Sequence, residues 1–321
     1  MFTINDLVIE GLSNPFIPFR ADPWIYKHKD GYYYFTGTVP DYDLIELRRS
    51  KTLAELEQAR PVNIWHKHPT GMMGSHIWAP EIHYLDNKWY IYFAAGDSKD
   101  TWNIHKYVLE NSSDNPLQGE WIEKGRIDTG QTHFTLDATV FECNNKRYLV
   151  WAQKPDSTPD ISNLYIAEME SPWCIKGEPL LLSQPEFSWE QHLHEVNEGP
   201  AVLIRNGKVF LTYSASGTDH HYCMGMLIAS VTDDLLNVDS WKKSSDPVFK
   251  SSEDNHIYGP GHNSFTKSED DSEDYLVYHA RNYKNTAGDP LDDPNRHTRI
   301  QKILWDEKGY PILGKPIPES R

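Results

Sequence analysis

Five times along the 321-residue chain the same pattern returns: a short strand-like segment, a polar Gly/Asn/Lys turn, and a second strand dense in aromatic and β-branched residues. The copies are ADPWIYKHKDGYYYFTG from Ala21, APEIHYLDNKWYIYFAA from Ala79, LDATVFECNNKRYLVWA from Leu136, NEGPAVLIRNGKVFLTYSA from Asn197 and GHNSFTKSEDDSEDYLVYHA from Gly261. Each is followed by a further strand-like stretch, beginning near Leu44, Asn103, Leu164, Met224 and Thr298. Alternating apolar residues such as Leu164 and Ile166 fit half-buried strands, and only TLAELEQA, after Lys51, reads as a helix. A unit of about sixty residues is the size of a four-stranded blade, and five of them use nearly the whole length. The expectation is an all-β chain, a five-bladed β-propeller in a single domain over 1–321, with blades starting near 21, 79, 136, 197 and 261.

Composition narrows the partners. A net charge of −16 repels nucleic acid and anionic membrane surfaces, so neither is expected, whereas a neutral ligand is compatible with it. The chain holds 11 Trp and 18 Tyr; wide rings suit the wedge between blades, and a ring face suits the C–H face of a sugar. Cys143, Cys174 and Cys223 are odd in number and lack C-x-x-C spacing, and the first and last read as small buried hydrophobes. No apolar run reaches membrane-spanning length. The start, MFTINDLVIEGLSNPF, has neither a basic opening nor a long apolar stretch, which gives an expectation of a cytoplasmic protein, provided no leader has been removed. The oligomeric state has no signature in the sequence.

Counting ten residues back from the end of each turn reaches Asp22, Ala79, Asp137 and Glu198, and, with two inserted turn residues allowed, His262. In a propeller, equivalent residues of the first strands ring the central channel. Three carboxylates so placed repel one another and raise at least one pKa, an arrangement that serves chemistry or a cation. Glycosidic bond cleavage needs two carboxylates of unlike protonation, and inverting enzymes hold them roughly 6.5–9.5 Å apart so that water fits between. Asp22 with Glu198 is the candidate pair and Asp137 the third member. Singly, each has a structural reading: Asp22-Pro23 is a common turn start, and the other two could end strands. The 17-residue stretch from Arg281 to His297, with its Gly-Asp-Pro and Asp-Pro steps, is a long loop and a candidate pocket wall.

The segments ADPW, SHIWAPE, TLDATVF, VNEGP and GPGHNS, in this order and spacing, resemble the blade signatures of glycoside hydrolase family 43 from about Asn14 to Pro316. The resemblance implies a five-bladed propeller and inverting hydrolysis of arabinose- or xylose-containing glycans. It makes Asp22 the general base, Glu198 the general acid, and Asp137 the residue that orients the acid and raises its pKa. It requires no cofactor for the chemistry; His262 resembles a central histidine that contacts a channel ion, calcium or sodium, directly or through water. The loop GDPLDDPNRHTRIQ resembles that of single-domain exo-acting α-L-arabinofuranosidases, so the implied substrate is a terminal α-L-arabinofuranose on an arabinose-containing oligosaccharide. Trp78 is the candidate stacking surface, and Arg296 and Arg299 could reach sugar hydroxyls or neutralise the carboxylates, or form a surface ion pair. A β-D-xylosidase or a bifunctional enzyme is the alternative within the family, and a non-catalytic sugar-binding propeller the alternative outside enzymes. A phosphorylase would need a basic cluster where Asp22 stands. His192, His194, His220 and His221 lack the cysteine or His-Glu spacing of a zinc site and are expected to make hydrogen bonds or line the rim.

Overall fold

The computed structural model describes residues 3–130, 134–155 and 161–320, and strands dominate them. β1 (Ala21–Lys27), β2 (Tyr33–Thr38), β3 (Leu44–Ser50) and β4 (Val62–His66) form one antiparallel sheet in sequence order. β5 (Ser75–Leu85), β6 (Lys88–Gly96), β7 (His105–Asn111) and β8 (Ile122–Arg126) form a second. β9 (Thr135–Cys143), β10 (Lys146–Gln153), β11 (Ile161–Ser171) and β12 (Cys174–Ser183) run the same way, as do β13 (Glu195–Arg205), β14 (Lys208–Ala215), β15 (Cys223–Ser230) and β16 (Lys242–Lys243). Two parallel pairings, Ile161 with Glu195 and Ser162 with Val196, join these two groups into one eight-stranded sheet. β17 (Tyr258–Lys267), β18 (Asp274–Arg281), β19 (His297–Trp305) and β20 (Pro311–Ile312) complete the set. The one α-helix among the described residues, α1 (Leu53–Gln58), is the expected short one; Thr52 caps it by accepting the Glu55 amide hydrogen.

The first strand of each group packs on the first strand of the next: β1 on β5, β5 on β9, β9 on β13, β13 on β17, and β17 back on β1. Aromatic side chains fill the spaces between groups, Tyr34 against Trp89, Tyr92 with Trp151, and Phe210 with Tyr278. The N-terminal segment locks the first group to the last: Ile17 pairs with Thr298, and Asn14 exchanges hydrogen bonds with Ile300. Cys143 and Cys223 are buried, as expected, and Cys174 is exposed.

Every first strand carries a β-bulge at the same place. Two residues, Asp22-Pro23, Ala79-Pro80, Asp137-Ala138, Gly199-Pro200 or His262-Asn263, lie opposite a single residue of the neighbouring strand. The leading residue of each is left-handed, with φ of 49°, 47°, 52°, 52° and 43°. Asp, His and Gly adopt that conformation more readily than other residues, and bulges re-aim side chains beside functional sites. The pairing corrects the counted alignment. Glu198 is not the equivalent of Asp22 and Asp137; Gly199 is. Glu198 occupies the preceding position, paired with Ser214 just as Ala21 pairs with Thr38, Trp78 with Ala94, Leu136 with Ala152 and Gly261 with His279. The count slipped at its starting point, since the second, third and fourth turns are all two residues long. Lys208 already pairs with Arg205, whereas the counts in the second and third copies began one residue deeper, at Trp89 and Arg147.

Candidate active site

The bulges deliver Asp22, Asp137 and His262 to one cavity, and the position before them delivers Trp78, Leu136 and Glu198 to the same cavity, whose volume is about 410 Å³. Arg296 and the loop residues Asp289, Pro290 and Leu291 form another part of its wall, so the Arg281–His297 loop does line the pocket. The loop is tied down at its middle: Arg281 donates to the Pro290 carbonyl at 2.6 Å, and Tyr42 donates to the Leu291 carbonyl.

Asp22 is buried and crowded by donors. Thr38 Oγ1 donates to its Oδ2 at 2.6 Å, while Oδ1 faces His262 Nδ1 at 3.2 Å, His279 Nδ1 at 3.3 Å and Arg296 Nη1 at 3.8 Å. Thr38 Oγ1 also accepts the Ala79 amide hydrogen, which fixes the direction of its own proton. Burial pushes the Asp22 carboxyl up, but His262, His279 and Arg296 outweigh it and hold the group well below the usual carboxylate range. Both imidazoles are themselves lowered by burial, His279 to about 4. At neutral pH they are therefore uncharged, and the lasting cation beside Asp22 is the Arg296 guanidinium, which Tyr42 and Asp22 keep charged against its own burial.

Glu198 has the opposite surroundings. Tyr222 donates to its Oε1 at 2.8 Å. Burial pushes its pKa up to about 7; the Tyr222 hydrogen bond, Arg296 and Lys154 work against that rise, and the charge of Asp22 adds to it. Asp137 is raised as well, by burial first and then by the charges of Glu198 and Asp22. The cause anticipated for the raised Glu198, the Asp137 charge, is thus replaced by burial and Asp22, and Asp137 and Glu198 compete for a proton. Asp137 Oδ2 accepts the Gly199 amide hydrogen at 3.0 Å, which ties it to the residue beside Glu198. Glycine suits position 199 on two counts: it adopts a φ of +52° without strain, and a Cβ there would sit 3.1 Å from the His262 ring.

Trp78 lines the cavity, stacked on His76 at 4.3 Å and edge-on to Tyr42 at 5.4 Å. Arg296 also donates to the Tyr42 hydroxyl at 2.9 Å. Arg299 is not brought to the site. Its Nη2 pairs with Glu319 at 2.7 Å and its side chain is fully buried. Arg296 precedes β19 and turns inward, whereas Arg299 lies within that strand beside Tyr278. Of the four loop histidines only His194 lines the cavity; His192 stacks on His221, whose Nδ1 hydrogen-bonds Asp219. Sequence reasoning missed Tyr222, His279, Thr38, Lys154 and the half-exposed Trp102. His279 carried a usable signal, since it faces Gly261 across the fifth bulge. Tyr222 carried none, being a lone residue before β15.

A strand-ringed cavity with carboxylates of unequal proton affinity is the architecture of a carbohydrate-cleaving family. The chain belongs to glycosyl hydrolases family 43, whose sequence model matches residues 12–311. It is 57% identical over 308 residues to an extracellular exo-alpha-(1->5)-L-arabinofuranosidase of Streptomyces avermitilis, covering 96% of this chain and 64% of that protein. The chain thus spans less than two-thirds of that relative's length. A similarly named extracellular enzyme of Streptomyces chartreusis is 51% identical over 278 residues, 87% of this chain and 85% of that protein. The crystal structure of an alpha-L-arabinofuranosidase from Lactobacillus brevis superposes with a TM-score of 0.93 at 52% identity, over 97% of this chain and 98% of that one. The cytoplasmic expectation is overturned here: both Streptomyces relatives are extracellular by name, and the N-terminal residues it rested on do not weigh against them.

Proposed function

We propose that the chain is an inverting, exo-acting α-L-arabinofuranosidase built as a five-bladed propeller. One observation carries the reading: Asp22 and Glu198 open onto one cavity with proton affinities driven apart, Asp22 held ionised and Glu198 raised to about 7. Divergent carboxylates assign acid and base. In this reading Glu198 gives its proton to the glycosidic oxygen as the bond to the anomeric carbon breaks. Asp22 takes a proton from the water that attacks that carbon from the opposite face, so configuration inverts and no covalent intermediate forms. Asp137, anchored on the Gly199 amide, orients the acid and shares its proton.

The fivefold architecture is supported by the closed succession β1–β5–β9–β13–β17 and by the five equivalent bulges. The eight-stranded sheet counts as two blades, since only two residue pairs join its halves. On this view residues 1–321 make a single catalytic domain. The arabinose assignment draws on the names of the relatives, and the strapped Asp289–Leu291 wall supports attack on a chain end. Trp78 and Arg296 are the proposed sugar contacts. His262 Nδ1 faces Asp22 at 3.2 Å, which leaves only Nε2, directly or through water, for a channel ion, and calcium and sodium favour several oxygen ligands. No step is assigned to an ion.

The test pairs p-nitrophenyl α-L-arabinofuranoside with the β-D-xylopyranoside and follows the first-formed anomer by proton NMR. Hydrolysis of the arabinoside with the β-anomer appearing first is expected. Activity on the xyloside alone removes the substrate assignment, and the α-anomer appearing first removes the inverting mechanism.

A further inference from the structure

Tyr222 is a buried phenol placed between the two halves of the site, and nothing in the acid–base reading uses it. It is 1% exposed. Its hydroxyl meets Glu198 Oε1 at 2.8 Å, and its ring lies parallel to that of His279, with 5.7 Å between centroids and 1° between planes. His279 in turn touches Asp22, accepting its amide hydrogen on Nδ1 at 3.1 Å. The seat is built for this ring. A Cβ on Gly261 would lie 2.4 Å from Tyr222 Cε1, so any larger residue there displaces the phenol.

The direction of the hydroxyl proton follows from its neighbours. Ser214 Oγ accepts the His262 amide hydrogen at 2.7 Å. Its own proton is therefore free for the Tyr222 oxygen, and Ser214 works against the rise that burial causes in the phenol. The phenolic proton is left to Glu198. An Oε1 that receives it cannot also carry the carboxylic proton in the same direction.

We propose that Tyr222 is a positioning residue that confines the proton of Glu198 to Oε2, so that the acid donates from that oxygen alone and in one carboxyl orientation. The inference rests on the reading of Glu198 as the acid. During the step the Oε2–H bond of Glu198 breaks and its proton bonds to the glycosidic oxygen, which keeps the electron pair of the breaking C–O bond; water oxygen bonds to the anomeric carbon as Asp22 takes its proton, and Oε2 becomes anionic. Tyr222 keeps its own proton throughout, donating to a carboxylate afterwards. The charged and titratable groups around the pair, Asp22, Asp137, Lys154, His262, His279 and Arg296, do not replace this contact, because no other hydrogen bond to Glu198 Oε1 exists among the described residues.

The experiment compares Tyr222→Phe with the parent enzyme on two α-L-arabinofuranosides, an arabino-oligosaccharide and a 2,4-dinitrophenyl glycoside whose leaving group departs without a proton. Glu198→Gln is the reference. The expected result for Tyr222→Phe is a kcat on the oligosaccharide lower by about tenfold to a hundredfold, KM within about twofold, and dinitrophenyl hydrolysis nearly unchanged. Gly261→Ala, which dislodges the ring, should reproduce this pattern. Equal losses on both substrates, a change confined to KM, or no loss at all overturns the proposal. If Glu198→Gln itself fails to discriminate the two leaving groups, the acid reading falls and takes the proposal with it. If Glu198→Gln discriminates and Tyr222→Phe does not, only the Tyr222 proposal falls.

Discussion

Asp22 and Glu198 share one cavity and are both buried, yet their immediate surroundings differ in kind. Asp22 sits on a bulge with a threonine donor, two imidazoles and a permanent guanidinium cation around it. Glu198 sits one strand position earlier, at the level of Trp78 and Leu136, and among the described residues its carboxyl has a single phenol as hydrogen-bond partner. Burial raises both carboxyls; only Asp22 has enough positive charge to reverse the effect. The lesson is that a bulge alone does not ionise a carboxyl, since Asp137 also sits on one and is raised. What lowers Asp22 is the cluster of His262, His279 and Arg296 around its own bulge.

The sharpest break of this comparison is to neutralise each carboxyl in turn. Asp22→Asn should lower kcat by roughly 10³-fold or more on every glycoside, because water needs its base whatever the leaving group. Glu198→Gln should cause a loss of about 10²–10⁴-fold on oligosaccharides and little on dinitrophenyl glycosides. Steady-state kinetics on the two substrates checks both, and a leaving-group dependence in Asp22→Asn would exchange the two roles. Next in size is Arg296→Met. Arg296 holds Asp22 down and also works against the rise of Glu198, so its loss should move both limbs of the kcat/KM profile to higher pH. A profile that narrows or shifts to lower pH would show that another group supplies the charge.

In the unaltered enzyme, activity should fall as pH rises through about 7, where Glu198 loses its proton. It should persist on the acid side to below the ordinary carboxylate range, since Asp22 stays ionised there. The smallest effect concerns the bulges themselves. Ala79 holds φ at 47° without the side-chain chemistry that eases this conformation in Asp or His. Ala79→Gly should therefore stabilise the fold by up to about 1 kcal/mol in thermal denaturation, whereas Gly199→Ala should destabilise it by about 1–3 kcal/mol, with the His262 ring also in the way.

Much of this was legible in the chain. The repeat located all five first strands, because each combines a period-two apolar pattern with a turn of fixed chemistry, and it pointed to Asp22, Asp137, Glu198 and His262. What it could not carry was register. The residue at which a turn ends and the next strand begins is not marked in the sequence, so Glu198 was counted into a position that belongs to Gly199. Arg296 and Arg299 are three residues apart and alike in composition; only the end of the loop at His297 decides that one turns inward and the other pairs with Glu319. Tyr222 and Thr38 act from a loop and from the end of β2, where no periodicity marks them.

The unequal protonation of Asp22 and Glu198 is tested most directly by titrating their side-chain carboxyl carbons by 13C NMR, with Asp22→Asn and Glu198→Gln supplying the assignments. A Glu198 signal that titrates near 7 beside an Asp22 signal that stays ionised through the usual carboxylate range is the expected result. An Asp22 that titrates near neutrality while Glu198 stays ionised would contradict it.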